Sequence, residues 1–345
     1  MIKPRIAIVP GDPSGIGPEL IAKLLNDVGV KDAANIVLVG DSHLWLQGAE
    51  QAGLPVTLNT IVEADIFSQE GAHHIEMSTI VPHDMQIATV TVASGRSSLR
   101  CLDKALDLAT AGLVDGVLFA PFNKAAMTSA GLNAEDEHIY MARYLGFDGY
   151  HSEINVLDDL MTTRVTSHIG LKDVAGNISQ EKILQAVNLA NDTLRLAGKK
   201  YPRIAVAALN PHAGDNGKFG REEIDILEPA IARAKANQIN VTGPWPSDTV
   251  FLKAKRGEVD AVVTMYHDQG QIAIKLLGFE RGVTVAGGLP IPVATPAHGT
   301  AFDISGKNKA NVSATRQAFN LLVNMANIHR TERDVILGRS TYDKN

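Results

Sequence analysis

The chain has 345 residues, 45% of them apolar and 20% charged, with 32 Lys and Arg against 38 Asp and Glu for a formal charge of -6. A chain of that length can bury a large core without disulfides or a structural metal and predicts two domains or one large α/β unit, while the mild acidity and the lack of a Lys/Arg run argue against a nucleic-acid partner. Cys101 is the only cysteine, which rules out an intrachain disulfide and points to a reducing cytoplasm, and no segment approaches the roughly 20 apolar residues of a membrane span.

The start runs directly into Ile6-Ala7-Ile8-Val9, an apolar stretch cut short by Pro10 and Asp12, unlike the longer core of a signal peptide. That stretch and Ile36-Val37-Leu38-Val39 are apolar on successive positions, as strands covered on both faces are. From about Glu63 to Val92 the pattern is irregular and more polar, and short antiparallel strands or an excursion are expected there. Leu99, Leu102, Leu106, Leu108 and Ala109 then mark a helix before a third strand, Val117-Leu118-Phe119-Ala120. A long amphipathic helix follows Ser179 as N-cap, through Ile183, Leu184, Val187, Leu189, Ala190, Leu194 and Leu196, and stops at Gly198. Ile204-Ala205-Val206-Ala207 is the next strand. A helical pattern from about Glu222 through Ile224, Leu227, Ile231 and Ala234 carries Pro229, which predicts a kink or a division. Ala261 to Met265 completes the set of buried strands. Strand, helix and strand in alternation predict a parallel sheet with helices on both faces.

The first strand leads into Gly11-Asp12-Pro13-Ser14-Gly15-Ile16-Gly17-Pro18-Glu19, which opens a helix through Leu20, Ile21, Ala22 and Leu24. Such a turn can present backbone N–H groups to an anion. The spacing nevertheless fails the dinucleotide fingerprint, because position 20 is Leu20 and Pro18 removes a donor, and no Gly-Lys-Ser/Thr follows. A tight connection without a ligand is the plainer reading, and any nicotinamide cofactor binds here in some other manner than the usual one.

Of the eleven histidines, three share a context. His168 closes Arg164-Val165-Thr166-Ser167-His168, His212 follows the Ile204 strand in Asn210-Pro211-His212-Ala213-Gly214, and His267 ends the Ala261 strand in Met265-Tyr266-His267-Asp268-Gln269-Gly270. In an open parallel sheet, ligands bind beyond the carboxyl ends of the strands, so three imidazoles delivered there can converge on one divalent ion with coordination positions left for substrate. Each could instead merely begin a loop; the agreement of three contexts favours the metal. Asp248 and Lys275 are candidates for proton transfer or for binding an anionic substrate, against the blander readings of a turn aspartate and a helix-surface lysine. His298, in Ala297-His298-Gly299-Thr300-Ala301, is a further loop histidine.

As a set, the glycine turn, Asn210-Pro211-His212-Ala213-Gly214, Met265-Tyr266-His267-Asp268-Gln269-Gly270 and His298-Gly299-Thr300-Ala301 resemble the 4-hydroxythreonine-4-phosphate dehydrogenase family, in the same order over nearly the whole chain. The resemblance implies two α/β/α domains with a central cleft, in the style of isocitrate and isopropylmalate dehydrogenases: residues 1–125 with 290–345, and residues 126–289. It implies a homodimer with shared active sites, NAD or NADP bound without the usual fingerprint, and a divalent metal (Zn, Mn, Co or Mg) on His168, His212 and His267. His138, Lys275 and Thr284 fall on substrate-binding positions, and Asp248 and Lys275 on acid/base positions. Three residues depart from the family pattern: Ile139 stands for threonine, Thr284 for asparagine and Val293 for a pocket arginine. Valine cannot replace the bidentate guanidinium, so the metal core is expected intact and the substrate pocket altered.

The implied activity is metal-dependent oxidation of a secondary alcohol in a small hydroxy acid, phosphorylated or not, with decarboxylation of an acid substrate. Other readings are a dehydrogenase of a cyclic dihydrodiol, a metal-dependent lyase or hydrolase without nicotinamide, and a catalytically silent metabolite-binding protein. A small-molecule substrate, no nucleic acid and no membrane complete the expectation.

Overall fold

The computed structural model describes residues 3–336. The strands in chain order are β1 (Arg5–Val9), β2 (Asn35–Gly40), β3 (Ala72–Glu76), β4 (Gly116–Phe119), β5 (Ser152–Leu157) and β6 (Leu160–Arg164). They continue with β7 (Ile204–Ala207), β8 (Val241–Trp245), β9 (Ala261–Thr264), β10 (Val283–Gly287) and β11 (Val293–Pro296). The chain forms two compact units, one of the residues up to 148 with those from 289 onward, the other of residues 149–288. The helix Lys124–Ser129, which straddles residue 125, and the helix Glu137–Tyr144 beyond it group with the first unit.

In the first unit the strands run β3-β2-β1-β4-β11 and every pair is parallel. Ile6, Ala7, Ile8 and Val9 are all fully buried, which is why the sequence carries an unbroken apolar run instead of alternation. The helix Val92–Thr110 starts where the Thr91 hydroxyl accepts the Ser94 N–H, and it turns Cys101, Leu102, Leu106 and Leu108 into the core. The irregular segment differs from expectation. It forms β3, parallel to β2, between the short 3₁₀ turns Glu63–Asp65 and Pro82–Asp84. Its strand character is hidden because two of its three buried positions are His73 and His74, each bonded through Nε2 to a backbone carbonyl at 2.8 Å, those of Glu70 and Gly40.

In the second unit the order is β10-β5-β6-β9-β7-β8. The antiparallel strands are here: β10 with β5, and β5 with β6 through a turn at Asp158, whose φ is 51°. From β6 onward the neighbours β9, β7 and β8 are all parallel. The helix Gln180–Leu196 is capped by Ser179 and ends before Gly198, whose φ of +100° lets the chain turn away. Pro229 divides the following pattern. It has no N–H for the preceding turn, and residues Glu223–Leu227 widen into a π turn that runs into the α-helix Glu228–Ala236.

Candidate active site

The parallel order β6-β9-β7 explains why the three histidines share a sheet edge. These strands are neighbours, so the segments leaving their carboxyl ends emerge side by side. Beyond β6 the backbone continues against the segment beyond β9: Val165 N–H bonds the Thr264 carbonyl at 2.8 Å, and Thr166 donates to the Met265 carbonyl from both N–H and hydroxyl, at 3.1 and 2.7 Å. His168 and His267 are thereby brought together, with ring centroids 6.0 Å apart and planes inclined at 44°. His267 opens the helix His267–Gly278; the strand itself ends at Thr264. Its Nδ1 lies 2.7 Å from Asp268 Oδ1, which orients the ring and leaves Nε2 for another partner.

Two side chains that the sequence analysis did not single out hold this edge. The Gln269 amide oxygen accepts the Met265 N–H at 2.7 Å, and its nitrogen donates to the Ala208 carbonyl at 2.7 Å and to Ser247 Oγ at 2.8 Å. One amide thus joins the ends of β9 and β7 to the start of the helix Ser247–Lys255. Arg164 is buried, pairs with Glu153 and donates from Nε to Ser167 Oγ at 2.9 Å, next to His168. Its Nη1 is buried without a partner. Arg164 lines a shallow depression together with Asn155, Thr162, Thr264, His267 and Gln271.

His212 lies in the turn Pro211–Gly214 after β7, with its ring 6.3 Å from that of Phe219. The backbone from His212 to Gly217 is left-handed throughout, with φ between 43° and 89°. For residues with a Cβ that conformation costs on the order of 1–2 kcal/mol each, so something must hold it. Among the described residues no three His, Cys, Asp or Glu side chains are grouped to hold a metal ion. The structure therefore brings His168 and His267 together and sets His212 on the same sheet edge in a separately braced turn.

Asp248 is exposed in the first turn of Ser247–Lys255, after β8, and Lys275 is exposed on His267–Gly278. Thr284 lies on β10, in register with Asn155 of β5. His138 belongs to the first unit, buried in the helix Glu137–Tyr144, whose N-terminus is capped by Asp136. Ile139 supplies the N–H that Asp136 accepts, and Val293 is fully buried in β11, opposite Val117.

In the first unit the glycine turn is closed upon itself. A Cβ at Gly17 would fall onto the Pro10 carbonyl, and one at Gly11 would lie 2.5 Å from the Ala120 carbonyl. The His298–Ala301 motif packs here, since Ile16 N–H bonds the Thr300 carbonyl at 3.1 Å. Burial lowers the His298 pKa, and its Nε2 is buried without a partner. Asp12 accepts the Ser14 N–H at 2.8 Å through Oδ1, while Oδ2 has no partner, and burial pushes the carboxyl up to about 6.

A mixed α/β unit with paired imidazoles beyond the ends of its parallel strands has the architecture of the α/β enzymes, which bind small ligands at the carboxyl edge of the sheet. Comparison with known proteins makes this specific. The profile of the pyridoxal phosphate biosynthetic protein PdxA matches residues 32–322, and the chain belongs to that family. A Pseudomonas aeruginosa protein provisionally named 4-hydroxythreonine-4-phosphate dehydrogenase 2 is 49% identical over 327 residues, 93% of this chain and 97% of that one. A Salmonella typhimurium protein named D-threonate 4-phosphate dehydrogenase is 38% identical, over 93% of this chain and 98% of that one. The crystal structure of a Klebsiella pneumoniae 4-hydroxythreonine-4-phosphate dehydrogenase superposes with a TM-score of 0.82 at 34% identity, covering 94% of this chain and 98% of that one. The chain is an oxidoreductase of this dehydrogenase family. No helix among the described residues is long and apolar enough to cross a membrane.

Proposed function

We propose that the protein is a metal-dependent, NAD- or NADP-linked dehydrogenase of a small 4-phosphorylated hydroxy acid of the D-threonate kind, acting in the cytoplasm as a homodimer with shared sites. The observation that carries this reading is the pairing of His168 and His267 at 6.0 Å on the carboxyl edge, with Asp268 bonded to the outer nitrogen of His267. Histidines that ligate a metal ordinarily keep such a partner on the other ring nitrogen, so the donor set fits a divalent cation. His168 and His267 would hold it, and His212 would complete the set; three neutral imidazoles favour a transition metal.

A bound cation would polarise the substrate hydroxyl and a neighbouring oxygen, and a bound nicotinamide would accept the hydride. The protein's own residues do the rest. Lys275 Nζ or the Asp248 carboxylate takes the hydroxyl proton as the alcohol becomes a ketone. If the acid is β to that ketone, carbon dioxide leaves and the same group returns a proton to the product. Arg164, with its unpartnered Nη1, and Lys275 favour an anionic substrate. In the first unit, the orphaned Nε2 of His298 beside the glycine turn is a polar atom that a bound dinucleotide would satisfy.

The test is nicotinamide reduction by the purified protein with D-threonate 4-phosphate and with 4-hydroxythreonine 4-phosphate, with and without added Mn²⁺ or Zn²⁺. We expect turnover that chelation abolishes and His212→Ala reduces by about 10³-fold or more. Turnover that survives in chelator-treated buffer would sink the metal reading, and absence of turnover with every hydroxy acid tried would sink the dehydrogenase reading.

A further inference from the structure

The structure assigns Glu223 a role as the positioning residue for His212. Glu223 lies on the buried face of its helix, four residues before Leu227 and eight before Ile231, where the sequence pattern calls for an apolar side chain. It is 1% exposed, and among the described residues it has no ion pair. A buried carboxylate of this kind is tolerable only if N–H groups replace its water, and all of them come from the chain leading into His212. Oε1 accepts the Leu209 N–H at 2.9 Å and the Asn210 N–H at 2.7 Å, and Oε2 accepts from Asn210 Nδ2 at 2.9 Å. Glu222 Oε2 accepts from the same Asn210 nitrogen at 2.7 Å.

The two carboxylates therefore clamp the residues between the end of β7 and Pro211, immediately before the left-handed run that carries His212. The turn is shaped around them. A Cβ at Gly214 would lie 2.8 Å from Glu223 Oε2, and one at Gly220 would fall onto Asn210 Nδ2 and Glu222 Oε2, with φ already at +81° and +139°. The π turn that begins at Glu223 belongs to the same arrangement. A residue at 223 without an oxygen at this reach would strand two backbone N–H groups and release the turn. The His212 ring would then lose its fixed approach to the His168 and His267 edge.

This inference rests on the metal reading above, and its test separates the two. Mn²⁺ is titrated calorimetrically into the full-length chelator-stripped protein and its His212→Ala, Glu223→Ala and Glu223→Gln variants, with thermal unfolding and the split between kcat and KM measured alongside. Glu223→Ala should weaken Mn²⁺ binding by about 10- to 100-fold, the usual effect of losing an outer residue that orients a ligand. Glu223→Gln keeps one oxygen for the two backbone N–H groups and should recover much of the affinity. A merely structural role would lower the unfolding temperature and leave the Mn²⁺ affinity unchanged. Should His212→Ala weaken Mn²⁺ binding while both Glu223 variants bind as the parent does, the role of Glu223 is overturned and the metal reading stands. Should His212→Ala itself bind Mn²⁺ normally, the metal reading fails and this inference with it. If Glu223→Ala does not fold, Glu223→Asp takes its place, since its shorter side chain withdraws the carboxylate from the Leu209 and Asn210 N–H groups, and an unchanged Mn²⁺ affinity in that variant overturns the inference.

Discussion

The two glycine-rich turns of this protein look alike in sequence and are built on opposite principles. The first, from Gly11 to Gly17, is tied to its surroundings by backbone against backbone, with only the local Asp12 bond to Ser14 N–H from a carboxylate: Asp12 N–H bonds the Pro121 carbonyl, Ala88 N–H bonds the Ser14 carbonyl, and Gly11 and Gly17 are needed because carbonyls occupy the space a Cβ would take. The second, from Asn210 to Gly220, is held by the buried Glu223 carboxylate acting on the Leu209 and Asn210 N–H groups, and it keeps non-glycine residues, His212 among them, in left-handed conformations. A turn of the first kind connects strand to helix. A turn of the second kind spends stability to present a side chain, which is the signature of a functional loop.

Substitutions should separate the two designs. The largest effect is expected from Gly17→Ala, because the new Cβ meets the Pro10 carbonyl and neither side is a flexible side chain. We expect a loss of about 4 kcal/mol or failure to accumulate folded protein, read by expression and thermal unfolding. If Gly17→Ala unfolds like the parent, the first turn is looser than a backbone-closed connection.

Asp12 tests the same turn by pH. Its folded carboxyl pKa is raised to about 6 by burial, above the ordinary value of 3.8. The native state therefore holds a proton that the unfolded chain releases, and stability falls as pH rises through the window from about 4 to 6, by at most about 3 kcal/mol. Asp12→Asn should raise the unfolding temperature at pH 8 and lose that advantage near pH 4. A gain independent of pH would mean that the carboxyl titrates normally.

In the second turn, Gly214→Ala should cost about 1–2 kcal/mol for a left-handed alanine, and in addition weaken Mn²⁺ binding as the new Cβ crowds Glu223 Oε2. Loss of stability with unchanged affinity would show that the turn can relax without moving His212. The smallest effect is expected back in the first turn. Ser14→Ala removes the hydroxyl bonded to Ser94 Oγ at 2.8 Å and should cost about 1 kcal/mol, with no change in Mn²⁺ affinity measured by the same titration.

Several elements were legible from residues alone for stated reasons. Strands such as Ile6–Val9 and Ala261–Thr264 are buried on both faces, so their apolar runs survive any tertiary context. The helix after Ser179 carries its own cap and its own stop. The strands β5 and β6 carry no unbroken apolar run, because polar side chains interrupt it. Asn155, Thr162 and Arg164 are examples, all bordering one depression. β3 was obscured by its paired histidines. Gln269 carries no local signal, since an amide next to a histidine motif predicts nothing about the carbonyl and hydroxyl it reaches from Ala208 and Ser247. Glu223 did leave one: a charged residue at a position that the helical period assigns to the core.

What the sequence determined by itself is the local and the periodic: which segments are strands and helices, where Pro229 interrupts, and that three histidines follow or end strand-like runs. These depend on propensity, caps and hydrophobic period, which act within a few residues. Strand order was decided only by the fold. It places β6, β9 and β7 side by side and parallel, so that His168 and His267 meet although 99 residues separate them. Side-chain bonds between distant segments decided the rest, because a buried carboxylate or amide finds its partners in three dimensions and leaves no spacing along the chain from which they could be read.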